Sequence, residues 1–180
     1  MIRTSDRIDV VDGIHLTAID YSDAESLAQY LNEKEYSANT CSIPFPYKLS
    51  DAKEFIRKVI NFEMENNLQR DWVIRRADGS LIGGIGLLYE RGIQAHRSEL
   101  GYWLAKAYWN KGIMTAVLKS FTNYIFLTRS IVRLEALVFV YNPSSCRALE
   151  RAGFQKEGFL HKAYKKESQY LDAWLYAMVR

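Results

Sequence analysis

The sequence predicts an α/β fold with a mixed, mostly antiparallel central sheet, one parallel β-α-β crossover, and helices on both faces. Three observations carry this expectation. Strand-like alternation and helical stripes succeed one another in the order β-α-α-β-β-β-α-β-α-β-β. Two strand-like runs, 98–105 and 132–140, flank a single helical stripe, the spacing of a right-handed parallel crossover. The 180 residues are 48% apolar and contain no repeat, low-complexity tract or Gly/Ser linker, so one domain spanning 1–180 is expected.

The elements follow in order. "IHLTAI" (14–19) alternates like a strand. "SDAESLAQYLN" is expected to be a helix capped by Ser22, with Ala24, Leu27, Ala28 and Leu31 on one face. Two prolines make "TCSIPFPYKLS" a loop. From Asp51 to Asn66, Ala52, Phe55, Ile56, Val59 and Ile60 form one helical stripe. "WVIRRADGSLIGGIGLL" is a hairpin around an Asp-Gly turn.

"SELGYWLA" (98–105) is the first crossover strand, and a helix over 112–127 turns Ile113, Val117, Phe121, Tyr124 and Ile125 inward. "VRLEALVFV" (132–140) is the second strand. "NPSSCRALERAG" carries a full set of helix-end signals: Asn142 as cap, Pro143 in the first turn, Gly153 as the left-handed stop. "FQKEGFLHKAY" and "YLDAWLYAMV" close the chain as antiparallel strands.

Composition excludes several classes. No run of 18 apolar residues is present, so no membrane-spanning helix is expected. The start "MIRTSDRIDVVDG" lacks a secretory signal, and Cys41 and Cys146 show no metal-type or disulfide-framework spacing. A reduced, cytoplasmic protein without a metal follows. Net charge is only +3, and exposed aromatics are not interleaved with basic residues, which argues against nucleic acid as a partner. The charge is unevenly spread. Residues 1–90 hold 10 Lys/Arg against 15 Asp/Glu, and residues 91–180 hold 14 against 6, balances of −5 and +8 that sum to +3. The basic half suits a small polyanionic ligand, or is a solvated basic face.

"YWNKGIMTAV" (108–117) lies where the first crossover strand ends and its helix begins. The first N–H groups of a helix lack internal partners and carry the positive end of its dipole. Gly112 lets a ligand approach that backbone and Lys111 adds charge, as pyrophosphate binding requires. Glycine at a helix start also has a purely conformational use.

A strand, "YWNKG" opening a helix, a second strand, and then "NPSSCRALERAGFQKEG" resembles the GNAT superfamily of acetyl-CoA-dependent N-acetyltransferases. More narrowly it is similar to the ribosomal-protein-alanine N-acetyltransferase branch. "IPFPYKLSDAKEFI" and "YLDAWLYAMV" extend that likeness over nearly the whole chain. The resemblance implies that Asn110, Lys111, Gly112, Ile113, Met114 and Thr115 wrap the pyrophosphate of coenzyme A. It implies that backbone groups near Trp103, Leu104 and Ala105 pair with the pantetheine arm and that an N–H there faces the thioester carbonyl. Asn142 is implied to bind the cofactor arm beside the parted ends of the parallel strands. Trp109 and Met114 depart from the family's usual Arg/Gln and Gly/Ala, and Met114 is the bulkier departure.

Acetyl transfer needs a neutral amine, an oxyanion stabiliser and a proton for the departing thiolate. Glu99 is the candidate base, or a solvent-facing strand carboxylate; Asp172 is the second candidate, or a partner for a basic neighbour. Ser145 is the candidate proton donor, or it satisfies local backbone; Tyr141 and Tyr176 are substitutes. A covalent route through Cys146 is disfavoured, since Leu149 and Gly153 share its face and no His is nearby in sequence. "LIGGIGLL" fails the dinucleotide fingerprint, so Gly83, Gly84 and Gly86 are read as permitting a bulge or close packing.

The expected function is therefore direct acetyl transfer from acetyl-CoA, in a ternary complex, to a primary amine. A protein or peptide N-terminus is the acceptor the resemblance implies. The alternatives are a small amine (polyamine, amino acid or aminoglycoside) or a non-catalytic acetyl-CoA sensor. Glu33 and Glu35 are candidates for receiving a cationic acceptor, or a solvated helix end. A monomer or homodimer is expected.

Overall fold

The computed structural model describes residues 7–11, 13–89 and 92–180. They contain strands β1 (Ile8–Val11), β2 (Ile14–Ala18), β3 (Asp71–Arg75), β4 (Leu81–Tyr89), β5 (Arg97–Leu104), β6 (Arg133–Phe139), β7 (Gln155–Lys166) and β8 (Gln169–Val179). The helices are α1 (Ala24–Leu31), α2 (Lys34–Asn39), α3 (Leu49–Asn66), α4 (Ile113–Thr128) and α5 (Pro143–Ala152). The chain divides into two compact units, Met1–Gly86 with Tyr102–Lys111, and Leu87–Gly101 with Gly112–Arg180.

In the first unit β1, β2, β3 and β4 pair successively, each antiparallel to the next. The β3–β4 hairpin closes on the expected Asp78-Gly79 turn, with Gly79 at φ +83° and its N–H donating to Arg76 O. The core gathers Leu27 and Leu31 of α1, Ala52, Ile56 and Val59 of α3, and Ile19, Tyr36, Tyr47, Val73 and Leu81. Burying such a set of apolar side chains is the main driving force for this unit.

Several expectations need correction here. Ser22 does not cap α1. Asp20, extended at φ −140°, accepts the Ser22 N–H at 2.6 Å while Asp23 returns to the Asp20 N–H at 3.0 Å, closing a capping box on a 3-10 turn ahead of the helix. Helix α3 begins at Leu49 rather than Asp51, whose carboxylate accepts the Lys48 N–H at 2.8 Å. Phe55 lies at the exposed margin of the α3 stripe. The six-residue α2 and four-residue β1 were not foreseen, being too short to show a period.

The glycines of β4 serve close packing. A Cβ on Gly83 would stand 2.6 Å from Trp103 O, one on Gly84 2.6 Å from Trp103 Nε1, and one on Gly86 would collide with the Asp71 carboxylate. β4 also carries a bulge beside Gly83: Ile74 pairs with Gly83 and Arg75 with Leu81, so Ile82 is the extra residue in the ladder.

The second unit holds the mixed sheet. β5 runs parallel to β6, β6 antiparallel to β8, and β8 antiparallel to β7. Helix α4 makes the crossover and packs with α5. Val117, Leu118, Phe121 and Ile125 of α4 are buried, as are Leu134, Ala136 and Val138 of β6, Leu149 of α5 and Tyr176 of β8. The inward stripe of α4 is rotated slightly from expectation, with Leu118 and Thr122 buried and Ile113 and Tyr124 only half-buried. Helix α5 has the foreseen ends: Asn142 Oδ1 accepts the Ser145 N–H at 3.2 Å, and Gly153 stops the helix at φ +107°.

Candidate active site

In the first unit, the end of β5 presents the predicted pantetheine-binding residues. The Ala105 N–H donates to Ile82 O of β4 at 2.8 Å. Backbone groups alternate between the two edges of an antiparallel strand, so the Leu104 N–H and C=O point to the edge away from β4. The Leu104 carbonyl is already engaged there. It accepts the Trp109 indole N–H at 2.6 Å and the Tyr36 hydroxyl at 3.2 Å. The Ala105 carbonyl accepts the Tyr108 N–H at 2.8 Å, turning the chain into a short 3-10 turn over Lys106–Tyr108. What Leu104 can offer a ligand is therefore its N–H, the donor type an oxyanion needs.

Tyr36 stands edge-on to Trp103 and Trp109, with ring centroids 5.9 and 6.2 Å away. Burial, and after it the charge of Glu33, pushes its phenol up to about 12, so it donates as a neutral hydroxyl at physiological pH. Lys106 reaches Glu33 at 2.9 Å and Glu35 at 2.6 Å. Its hydrogen bond holds the Glu35 carboxyl below the ordinary carboxylate range. The two carboxylates considered for a cationic acceptor thus already hold a cation of this chain. Asn110 follows at φ +59°, and Lys111 lies over the Tyr108 ring at 5.6 Å.

In the second unit, α4 opens at Gly112 in the left-handed region, φ +76°. No side chain caps this helix start, and a Cβ built on Gly112 would meet nothing within 4 Å. The Gly112 carbonyl accepts the Ala116 N–H at 3.1 Å, which puts Ile113, Met114 and Thr115 in the turn whose N–H groups have no helical acceptor. An exposed left-handed glycine followed by an uncapped first turn fits a diphosphate, which needs close backbone approach and several donors.

The parallel ladder of β5 and β6 joins Arg97, Ser98 and Glu99 to Arg133, Leu134 and Glu135, and among the described residues it ends there. Beyond it, β6 continues through Ala136–Phe139 against β8 alone. Glu99 is half-buried, and the Tyr164 hydroxyl of β7 donates to its Oε1 at 3.4 Å. The Phe139 ring lies edge-on to Tyr164 at 5.4 Å and tilted to Tyr141 at 5.5 Å. A carboxylate thus sits beside a group of three aromatic rings, an environment suited to an amine.

The other candidates separate clearly. Asp172 Oδ1 accepts the Lys162 N–H at 2.7 Å, where Lys162 adopts φ +51° within the irregular stretch between Leu160 and Tyr164. Its partner is backbone, and it shapes β7. Tyr176 is fully buried and donates to Glu150 Oε1 at 2.8 Å. Burial, then hydrogen bonding to Glu150 and Cys146, drives its phenol far above the ordinary value, which makes it a poor acid for a thiolate. Ser145 stays half-buried in the first turn of α5 beside Asn142, with Cys146 next to it and directed toward Tyr176. Tyr141 is half-exposed.

Tyr36 and Tyr164 escaped the sequence reading. Each acts on a group more than 60 residues away, and no local signal marks either. No group of three or more His, Cys, Asp or Glu among the described residues could hold a metal ion. No helix among them is long and apolar enough to cross a membrane.

Comparison with known proteins points to one family. Residues 14–155 match the family described as "Acetyltransferase (GNAT) domain". The chain is 27% identical over 168 residues to the uncharacterized N-acetyltransferase p20 of Bacillus licheniformis, covering 92% of each. It is 23% identical over 162 residues to the L-amino acid N-acetyltransferase AaaT of Escherichia coli, covering 88% of this chain and 93% of that one. In fold it is similar to RimL, a ribosomal L7/L12 alpha-N-protein acetyltransferase solved in complex with coenzyme A. The TM-score is 0.85, with 20% identity, 97% of this chain and 98% of that one covered.

Proposed function

The chain belongs to the GNAT family of acetyl-CoA-dependent N-acetyltransferases, and from that premise we propose that it acetylates the N-terminal α-amine of a protein or peptide in the cytoplasm. Residues 1–180 would work as one acetyltransferase domain. The observation that carries the cofactor assignment is the uncapped, glycine-led start of α4.

In this reading Ile113, Met114 and Thr115 donate backbone N–H groups to the diphosphate, Gly112 admits it, and Lys111 and Asn110 flank it. Trp103, Leu104 and Ala105 run beside the pantetheine arm, with the Leu104 N–H as donor to the thioester carbonyl. Asn142, at the start of α5, is assigned to the cofactor arm from the family resemblance alone. When bound, acetyl-CoA supplies an activated acyl carbon with a thiolate leaving group. Glu99 takes the proton that the amine must lose to attack, and the Tyr164 hydroxyl orients its carboxylate. Ser145 passes a proton to the sulfur as the C–S bond breaks and the C–N bond forms, water restores the serine hydroxyl, and the proton taken by Glu99 leaves to water.

An α-amine, with a pKa of about 8, asks less of such a base than a lysine amine near 10.4. The aromatic group around Glu99 and the likeness in fold to an alpha-N-protein acetyltransferase support the N-terminal acceptor. The likeness to an L-amino acid N-acetyltransferase favours the second reading, a free amino acid acceptor. Release of free thiol from acetyl-CoA, measured against peptides, amino acids, polyamines and aminoglycosides, decides between them. Turnover of free amino acids but not of peptides would end the first reading. Cofactor binding without turnover of any amine would leave a sensor.

A further inference from the structure

Two donors converge on one carbonyl at the exit of β5, and one of them comes from a helix 68 residues away in sequence. We propose that Tyr36 is a positioning residue for cofactor binding, locking α2 onto the β5 exit and fixing the path of residues 105–111 that leads to Gly112. The proposal rests on the acetyltransferase reading above.

The geometry that carries it lies within the first unit. The Leu104 carbonyl receives the Tyr36 hydroxyl and the Trp109 indole N–H together. Trp109 is the last residue before Asn110, so this one oxygen ties the end of the strand to the threshold of the glycine turn. Tyr36 also fills the angle between the Trp103 and Trp109 rings. Lys106, midway along the connection, is held by Glu33 and Glu35 on either side of the α2 N-terminus. Three attachments from one short helix therefore fall on Leu104, Lys106 and Trp109.

The connection needs such support. Its backbone visits two left-handed positions, Asn110 at φ +59° and Gly112 at φ +76°, residue types suited to that region that leave the path sharply bent and otherwise conformationally free. Donors aimed at a diphosphate act through geometry, so residues that fix the path set affinity without touching the ligand. The same bonds close the Leu104 carbonyl to any ligand, leaving its N–H as the only backbone group it presents there.

The test uses Tyr36→Phe, which removes one hydroxyl and keeps the ring. Calorimetric titration with coenzyme A should show Kd raised roughly three- to tenfold, the loss of one buried hydrogen bond. In turnover, KM for acetyl-CoA should rise by the same factor, with kcat and KM for the amine within about twofold of wild type. Lys106→Met should move Kd in the same direction, and Lys106→Arg, which keeps both ion pairs, should restore it. A lower melting temperature with Kd and KM unchanged would overturn the proposal, since that is what a purely structural contact gives. If Tyr36→Phe failed to fold, the Lys106 pair would decide alone. Wild-type protein that bound no coenzyme A would remove the acetyltransferase reading itself, whereas equal binding by wild type and Tyr36→Phe would remove only the clamp.

Discussion

Glu99 and Glu135 are partners across the last described rung of the parallel ladder, and Glu135 is bound by two arginines. Glu135 accepts from Arg133 at 2.5 Å and Arg97 at 3.4 Å, and Arg133 extends the chain of ion pairs to Glu157. Glu99 accepts a hydrogen bond from the hydroxyl of Tyr164. Two adjacent carboxylates are thus assigned different work by their neighbours. Glu99→Gln should lower kcat about 100-fold and remove the acidic limb of its pH dependence. Glu135→Gln should mainly lower stability. Turnover as a function of pH for both variants checks this, and an unaltered profile for Glu99→Gln would discard it as the base.

Gly112 separates conformational from electrostatic requirements. Gly112→Ala meets no atom within 4 Å but must hold φ +76°, a strain of about 1 kcal/mol. Gly112→Glu adds to that strain a negative charge where the diphosphate is proposed to lie. The alanine variant should bind coenzyme A more weakly, and the glutamate variant should show no binding in calorimetry at millimolar ligand.

Asp172 should behave as a builder of β7. Asp172→Ala leaves the Lys162 N–H without its acceptor and should cost about 1 kcal/mol in urea unfolding. The shape of the pH–rate profile should stay that of the wild type.

The Asp23–Arg75 pair joins the capping turn before α1 to β3. Arg75 spans both carboxylate oxygens at 2.8 Å and also reaches Thr17, with side chains only 4% and 15% exposed. Asp23→Ala leaves the guanidinium buried without its counter-charge, and the expected cost is about 3–5 kcal/mol. Asp23 also closes the Asp20 capping box, so early unfolding should start at the α1 end, measurable by hydrogen exchange.

Alkaline pH should unfold the protein through its tyrosines. Tyr36 and Tyr47 are raised to about 12, both chiefly by burial, and Tyr176 is raised further. Below pH 10 folded and unfolded states both hold these protons. Above it the unfolded chain loses them first, so stability falls as pH rises from about 10 toward 12. Urea midpoints at pH 9, 10 and 11 should decline, and Tyr47→Phe should flatten the decline.

The sequence by itself determined the order of the longer strands and helices, though not the short β1 and α2, together with the parallel crossover, both ends of α5 and the placing of a glycine-led turn at the start of α4. Those features rest on interactions between residues three or four apart, or on the conformational freedom of single glycines and prolines, so their signals are local. Tertiary structure alone decided that Tyr36 closes the Leu104 carbonyl, that Tyr164 meets Glu99, and that Asp172 serves backbone. The first two contacts join residues 68 and 65 positions apart, and the third is made across a hairpin by an irregularity in β7. A hydrogen bond across that distance exists only after the intervening chain has condensed around its core, and neither partner's near neighbours record it.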